Sequence, residues 1–246
     1  MIFRIRWLEL VVVLAALAPQ AFAQALPKCR PAVPGQGKRS LVELIDTERL
    51  MKQGQGTAIL MFETGVKTSG RTYDSRTYRE TPGAEKLRQE VLSKLDLALF
   101  EPAVVNNVYV TAYVQGTVNF FVKDGKPRLR VFLHQEDEAL MSGQDFVAPQ
   151  FAFVPGKPQF RGMYNPHLSS GHQGLAVLRI NLDADGNVQG TKVLHEHPAG
   201  QGFGARVATD VRDARFVPGF RHGKPVACEF TWTMIFGGPK RQIQTG

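Results

Sequence analysis

Between Val226 and Phe236 apolar and polar residues alternate without a break. Val226, Cys228, Phe230, Trp232, Met234 and Phe236 fall on one side, and Ala227, Glu229, Thr231 and Thr233 on the other. A period of two with aromatic residues predicts a half-buried strand whose apolar face lies on a core. Ahead of it, residues 221–225 read as a turn, and Phe216-Val217-Pro218 closes a helix over 205–215 with Val207, Val211 and Ala214 on one face. Before that helix, Leu175–Leu182 and Asn187–His195 read as strands joined by a tight turn at Asp183–Gly186.

The first half carries patterns of the same kind. Ser40-Leu41-Val42-Glu43 has the form of a capping box and opens a helix with Leu41, Leu44, Ile45 and Met51 that stops at Gly54. Thr57–Phe62 is an apolar strand, Thr64-Gly65 a turn and Val66–Tyr73 a polar strand. Thr81-Pro82 reads as the N-cap and first position of a helix burying Leu87, Val91, Leu95 and Ala98. A long strand follows over Val108–Val122, with Val108, Val110, Ala112, Val114, Gly116, Val118 and Phe120 on one face. Asp124-Gly125 turns it into a last strand at Pro127–His134.

These halves match each other. A shift of 116 residues carries Val91 onto Val207, Leu95 onto Val211, Phe100 onto Phe216 and Pro102 onto Pro218. The same shift carries Val110 onto Val226 and Phe120 onto Phe236 with inward parity kept; a slip of one residue would turn every side chain to the wrong face. The strands ahead of the two helices correspond as well, but the sequence aligns them only with gaps. The pattern predicts an α+β fold of two tandem strand–strand–helix–strand modules, each an antiparallel sheet with a helix on one face. The expected divisions are an extended arm and short helix over 24–56, a first module over 57–135, a connecting segment over 136–172 and a second module over 173–240. Phe151, Phe153 and Phe160 make the connecting segment one that packs locally.

Composition adds the compartment. Arg4 and Arg6, an apolar run over 10–18 and the small-x-small site Ala21-Phe22-Ala23 read as a cleavable signal peptide over 1–23, too short in its apolar part to span a bilayer. The expectation is an exported protein with no integral membrane span after cleavage. Loss of Arg4, Arg6 and Glu9 leaves 28 basic and 21 acidic residues, a net charge near +7, which favours anionic envelope surfaces. The charges are scattered, without like-sign runs or an interleaved aromatic ladder, which argues against nucleic acid as a partner. Two cysteines, Cys29 and Cys228, invite one disulfide in an oxidising compartment. The other reading keeps Cys228 as a small core residue and Cys29 as a free thiol.

No paired carboxylates, nucleophile elbow or P-loop lysine stands out, so the chain reads as non-enzymatic and without a cofactor. His195 and His197 share a strand face, but a metal site needs a third ligand that sequence does not place, and none is assigned. Asp183-x-Asp185-Gly186-Asn187 fits a hairpin turn better than a calcium loop. Gly200-x-Gly202-x-Gly204 before a helix could cradle an anion, but a lone glycine pattern is a weak signal and a flexible loop explains it better.

The second half resembles the TonB C-terminal domain family. The resemblance rests on the strand Leu175–Leu182, the Asp185-Gly186 turn followed by Val188, and the helix ending in Ala214-Arg215-Phe216-Val217-Pro218-Gly219. The Gly223-Lys224-Pro225-Val226 turn and the closing strand complete about 70 residues. The first half matches only through the internal repeat and lacks the Gly-x-Pro-Val turn, which makes it a divergent copy. What the resemblance implies is a non-enzymatic periplasmic binding domain that pairs with an extended segment of a periplasmic or outer-membrane protein. An edge strand supplies unpaired N–H and C=O groups, and alternate side chains select the partner. Under that implication Val108–Val122 and Val226–Phe236 are the candidate edges, and Val226, Glu229, Thr231, Thr233 and Ile235 are the partner-binding residues. The competing reading makes both strands internal or pairs them between modules. Energy-transducing members keep an inner-membrane helix and a long Pro-rich spacer; here only residues 24–39 are Pro-rich, too few to cross the periplasm at about 3 Å per residue. An energy-transducing or accessory role in TonB-dependent outer-membrane transport is therefore the alternative.

Overall fold

The computed structural model describes residues 26–134, 145–154 and 174–236. Residues 1–25, where the sequence predicts a signal peptide, most of the connecting segment with Phe160, His167 and His172, and residues 237–246 lie outside the described residues. The described chain is α+β, and every strand pair in it is antiparallel.

The arm contributes two short strands, β1 (Cys29–Arg30) and β2 (Val33–Pro34). Where the sequence predicts one helix there are two, α1 (Leu41–Leu44) and α2 (Thr47–Lys52). Ser40 caps the first as expected, its hydroxyl accepting the Glu43 N–H at 3.2 Å. Asp46 then starts the second by accepting the Arg49 N–H at 2.9 Å, because a new cap satisfies a new set of orphan amides. Leu50, not Met51, is the fully buried residue of that second helix.

β3 (Ala58–Val66) runs straight through Thr64-Gly65, where the sequence predicts a turn. The Tyr73 ring packs where a Cβ of Gly65 would stand, so the glycine serves a close contact within the strand. The chain turns later, at Lys67–Arg71, with Gly70 at φ 78°, and returns as β4 (Thr72–Glu80). α3 (Glu85–Leu95) begins after Ala84 with no side-chain cap. Thr81 accepts the Ile59 N–H at 3.0 Å instead, tying the approach to the helix onto β3. Leu87, Val91, Leu95 and Ala98 are buried as predicted.

β5 (Phe100–Glu101) and β6 (Ala103–Val105) lead through a tight turn into β7 (Val108–Lys123), then β8 (Lys126–Phe132) and β9 (Gln150–Phe153). β7 pairs with β3 along nine residues, from Val66↔Ala112 to Ala58↔Phe120. Its other margin is taken in turn by β6, β9 and β8. The expectation that Val108–Val122 offers a docking edge is therefore corrected: it is an internal strand with both margins used.

The second set of elements is β10 (Gly174–Leu182), β11 (Val188–His197), α4 (Phe203–Val211), β12 (Phe216–Val217), β13 (Gly219–Arg221), β14 (Lys224–Val226) and β15 (Cys228–Phe236). The single strand expected over Val226–Phe236 is broken at Ala227. Pro225, which has no N–H to give, lies in the hairpin with β13, and the chain changes partner from β13 to β10 across the break.

The registers of the two sets correspond. β10–β15 pairs run from Gly174↔Phe236 to Leu182↔Cys228, each 116 above its counterpart in the β3–β7 ladder, which runs from Ala58↔Phe120 to Val66↔Ala112. Of the two register shifts in each hairpin ladder, the one between Val177 and Leu178 in β10–β11 answers the one between Met61 and Phe62 in β3–β4. The hairpin pair Gly219↔Val226 likewise answers Ala103↔Val110. Its turn is His222-Gly223 in one case and Asn106-Asn107 in the other, all four residues at positive φ, as a two-residue hairpin turn requires.

Two apolar cores form, and they exchange residues. Val217 and Phe220 belong to the core under α3, while Tyr113 and Phe151 belong to the core under α4. β9 makes the exchange possible by pairing with β7 at Ala112↔Ala152 and with β12 at Phe216↔Phe151.

Candidate partner-binding edge

β10 is the centre of a three-stranded sheet ordered β11-β10-β15, so β15 lies at one margin of the described strands. Phe230, Trp232, Met234 and Phe236 point into the core under α4. Alternation turns Glu229, Thr231, Thr233 and Ile235 to the opposite face. Glu229 is exposed and pairs with Arg179 of β10 at 3.3 Å, whereas Thr233 is only 8% exposed. Val226 is not with them. It lies on β14, opposite Gly219, beyond the break in the strand.

The margin of β15 meets a buried polar cluster on the first sheet. The Gln115 side-chain amide, on β7, donates to the Thr233 carbonyl at 2.8 Å and also to the Glu63 carboxylate. Arg76 pairs with the other oxygen of Glu63. Burial alone would lower the Arg76 guanidinium, but the Glu63 charge beside it outweighs that and leaves it above its ordinary value. A carboxylate 3% exposed persists only with such partners. Glu63 was legible as an anomaly, a charge within the apolar run Ala58–Val66; its partners Arg76 and Gln115 are joined to it only by the sheet register.

The remaining motifs resolve into structural roles. The Gly200–Gly204 loop meets an anion of its own: Glu196 accepts the Gly204 N–H at 2.7 Å and the Gly202 N–H at 3.2 Å at the start of α4. Asp183 closes the β10–β11 hairpin. One of its oxygens accepts the backbone N–H of Asp185 and Asn187, and the other accepts the side-chain amides of Asn187 and Gln189 at 2.8 and 2.9 Å. His195 and His197 are exposed on β11, and no group of three metal-ligating side chains gathers among the described residues. Cys29 in β1 and Cys228 in β15 are free, half-buried thiols, both raised by burial.

Three groups make the fold acid-sensitive in the same direction. Hydrogen bonding from Asn187 holds Asp183 below the usual carboxylate range, and the Gly204 N–H does the same for Glu196. Burial between Phe132 and Phe146 lowers His134 from 6.5 to about 4. A depressed folded value means that the unfolded chain binds the proton first, so stability is full above the unfolded value and lost as pH falls through the folded one. Unfolding followed by circular dichroism should therefore show stability falling from near pH 6.5 downward through about 4. His134→Phe should flatten the upper part of that limb; an unchanged limb would contradict the assignment.

No curated protein and no solved structure matches the chain. Residues 168–237 match the family described as Gram-negative bacterial TonB protein C-terminal, and the stretch that builds β10, β11, α4 and β15 is thus a TonB C-terminal domain.

Proposed function

We propose that the chain is an exported, non-enzymatic periplasmic protein built from two copies of one module, the second of which engages an extended segment of a periplasmic or outer-membrane protein. The family match over 168–237 carries the functional part of this reading. The common offset of the two strand ladders supports the duplication. Binding occurs by strand addition at the β15 margin, through Glu229, Thr231, Thr233 and Ile235, with Val226 at its entrance. A partner strand would take the Thr233 carbonyl in place of the Gln115 amide that now holds it, so engagement includes loosening the contact between the two sheets. A backbone ladder gives affinity there, and the outward side chains give selection.

The family also supports a second reading, that the protein is an energy-transducing or accessory component of TonB-dependent transport. The two differ in the N-terminus. Cell fractionation with N-terminal sequencing should find a periplasmic protein beginning at Gln24. An N-terminus retained in the inner membrane would overturn the first reading in favour of the second.

A further inference from the structure

β7 outruns β3. Their last pair is Ala58↔Phe120, whereas β7 and β8 remain paired as far as Lys123↔Lys126. The ends of β7 and β8 therefore form a two-stranded ribbon that projects beyond the sheet, closed by Asp124-Gly125 at φ 53° and 69°. Directly opposed residues share a face, so Arg130, Phe121, Arg128, Lys123 and Lys126 lie together. All four cations of that face are exposed, and among the described residues none of them takes part in an ion pair. Asp124 is the one carboxylate between Asn119 and Arg130. Arg130 lies over the Phe121 ring, its guanidinium carbon 5.2 Å from the centroid. On the opposite face of the tip Val122 is 42% exposed.

We propose that this ribbon docks the protein on a bilayer surface of anionic phospholipid, the four cations meeting phosphates while Phe121 and Val122 settle between headgroups. A single bound anion calls for donors converging in a pocket, and an acidic peptide for a groove. The ribbon is neither: its cations are spread along a projecting tip, an arrangement suited to many phosphates in a plane. Long cationic stems flanking apolar side chains, here the exposed Val122 and the half-buried Phe121, are also what an element lying in a membrane interface presents. The contact is separate from the β15 margin and holds whether or not that margin binds a protein.

The test uses the full chain and flotation with phosphatidylcholine vesicles, with and without phosphatidylglycerol. Binding should require phosphatidylglycerol and weaken with salt. At about fivefold per surface cation, Lys126→Gln with Arg128→Gln should lower vesicle affinity roughly 25-fold. A tryptophan at the tip, Val122→Trp, should shift its emission to the blue on the charged vesicles. Failure to bind charged vesicles, equal binding to neutral ones, or undiminished binding by the double variant would each overturn the proposal. Attachment through the apolar stretch before Leu26 would give the last two results. Retention on immobilised polyglutamate without vesicle binding would also overturn it, and would assign the ribbon to an acidic protein.

Discussion

Phe216→Ala is expected to cost about 4 kcal/mol of unfolding free energy, the range for truncating a fully buried phenylalanine. Phe216 is 0% exposed, and its ring is packed 5.8 Å from Phe151, 5.6 Å from Phe230 and 5.8 Å from Trp232. Phe151 comes from β9 and the other two from β15, so the cavity would open where the connecting segment, the helix stop and the last strand meet. Those neighbours are large rings held by two sheets, and they cannot collapse cheaply into the space. Denaturant unfolding of the variant should show a lower midpoint with an unchanged slope. A loss under about 1 kcal/mol would mean that the aromatic cluster relaxes freely, against the picture of two cores locked through β9.

Gly186→Ala should cost about 3 kcal/mol, from a left-handed backbone imposed on a residue with a Cβ and from overpacking. Gly186 has φ 82°, and a Cβ there would run into the Phe216 carbonyl. The Phe216 N–H in turn donates to the Gly186 carbonyl at 3.3 Å. The hairpin turn thus seats the Phe-x-Pro block directly. Gly200 is the control: its φ is 74°, but nothing lies within 4 Å of its Cβ position. Gly200→Ala should therefore lose only the backbone part, about 1 kcal/mol. Gly70 stands to Phe100 as Gly186 does to Phe216, with φ 78° and the same carbonyl in the way, so Gly70→Ala should match the larger loss. If all three glycine variants lost the same amount, the seating contact would contribute nothing.

How much of this was legible depended on whether the signal was local. The buried stripe Leu87, Val91, Leu95 of α3 and the inward row Phe230 to Phe236 of β15 follow from periodicity, and the structure buries them. Thr64-Gly65 misled because a glycine in sequence looks the same whether it turns the chain or makes room for Tyr73. The extent of β4 was missed for a related reason: Arg76, Tyr78 and Arg79 make a polar strand whose partners are fixed only by register with β3. Long range was the limit for the edge as well. Nothing near Thr233 announces that Gln115, 118 residues away, would hold its carbonyl. The correspondence of Ala58–Val66 with Gly174–Leu182 escaped an ungapped alignment because residues at matching positions differ in kind, Glu63 answering Arg179 and Thr64 answering Ile180; the ladder pairs carry it instead.

The most direct measurement of partner binding by the TonB C-terminal domain is site-specific photo-cross-linking in living cells. A cross-linking residue at Glu229, which is exposed at the margin of β15, is compared with one at Lys192 of β11, also exposed. The account predicts a discrete cross-link from position 229 to a periplasmic or outer-membrane protein, strengthened by Gln115→Ala, and none from position 192. A cross-link from position 192 alone, or none from either position, would contradict it.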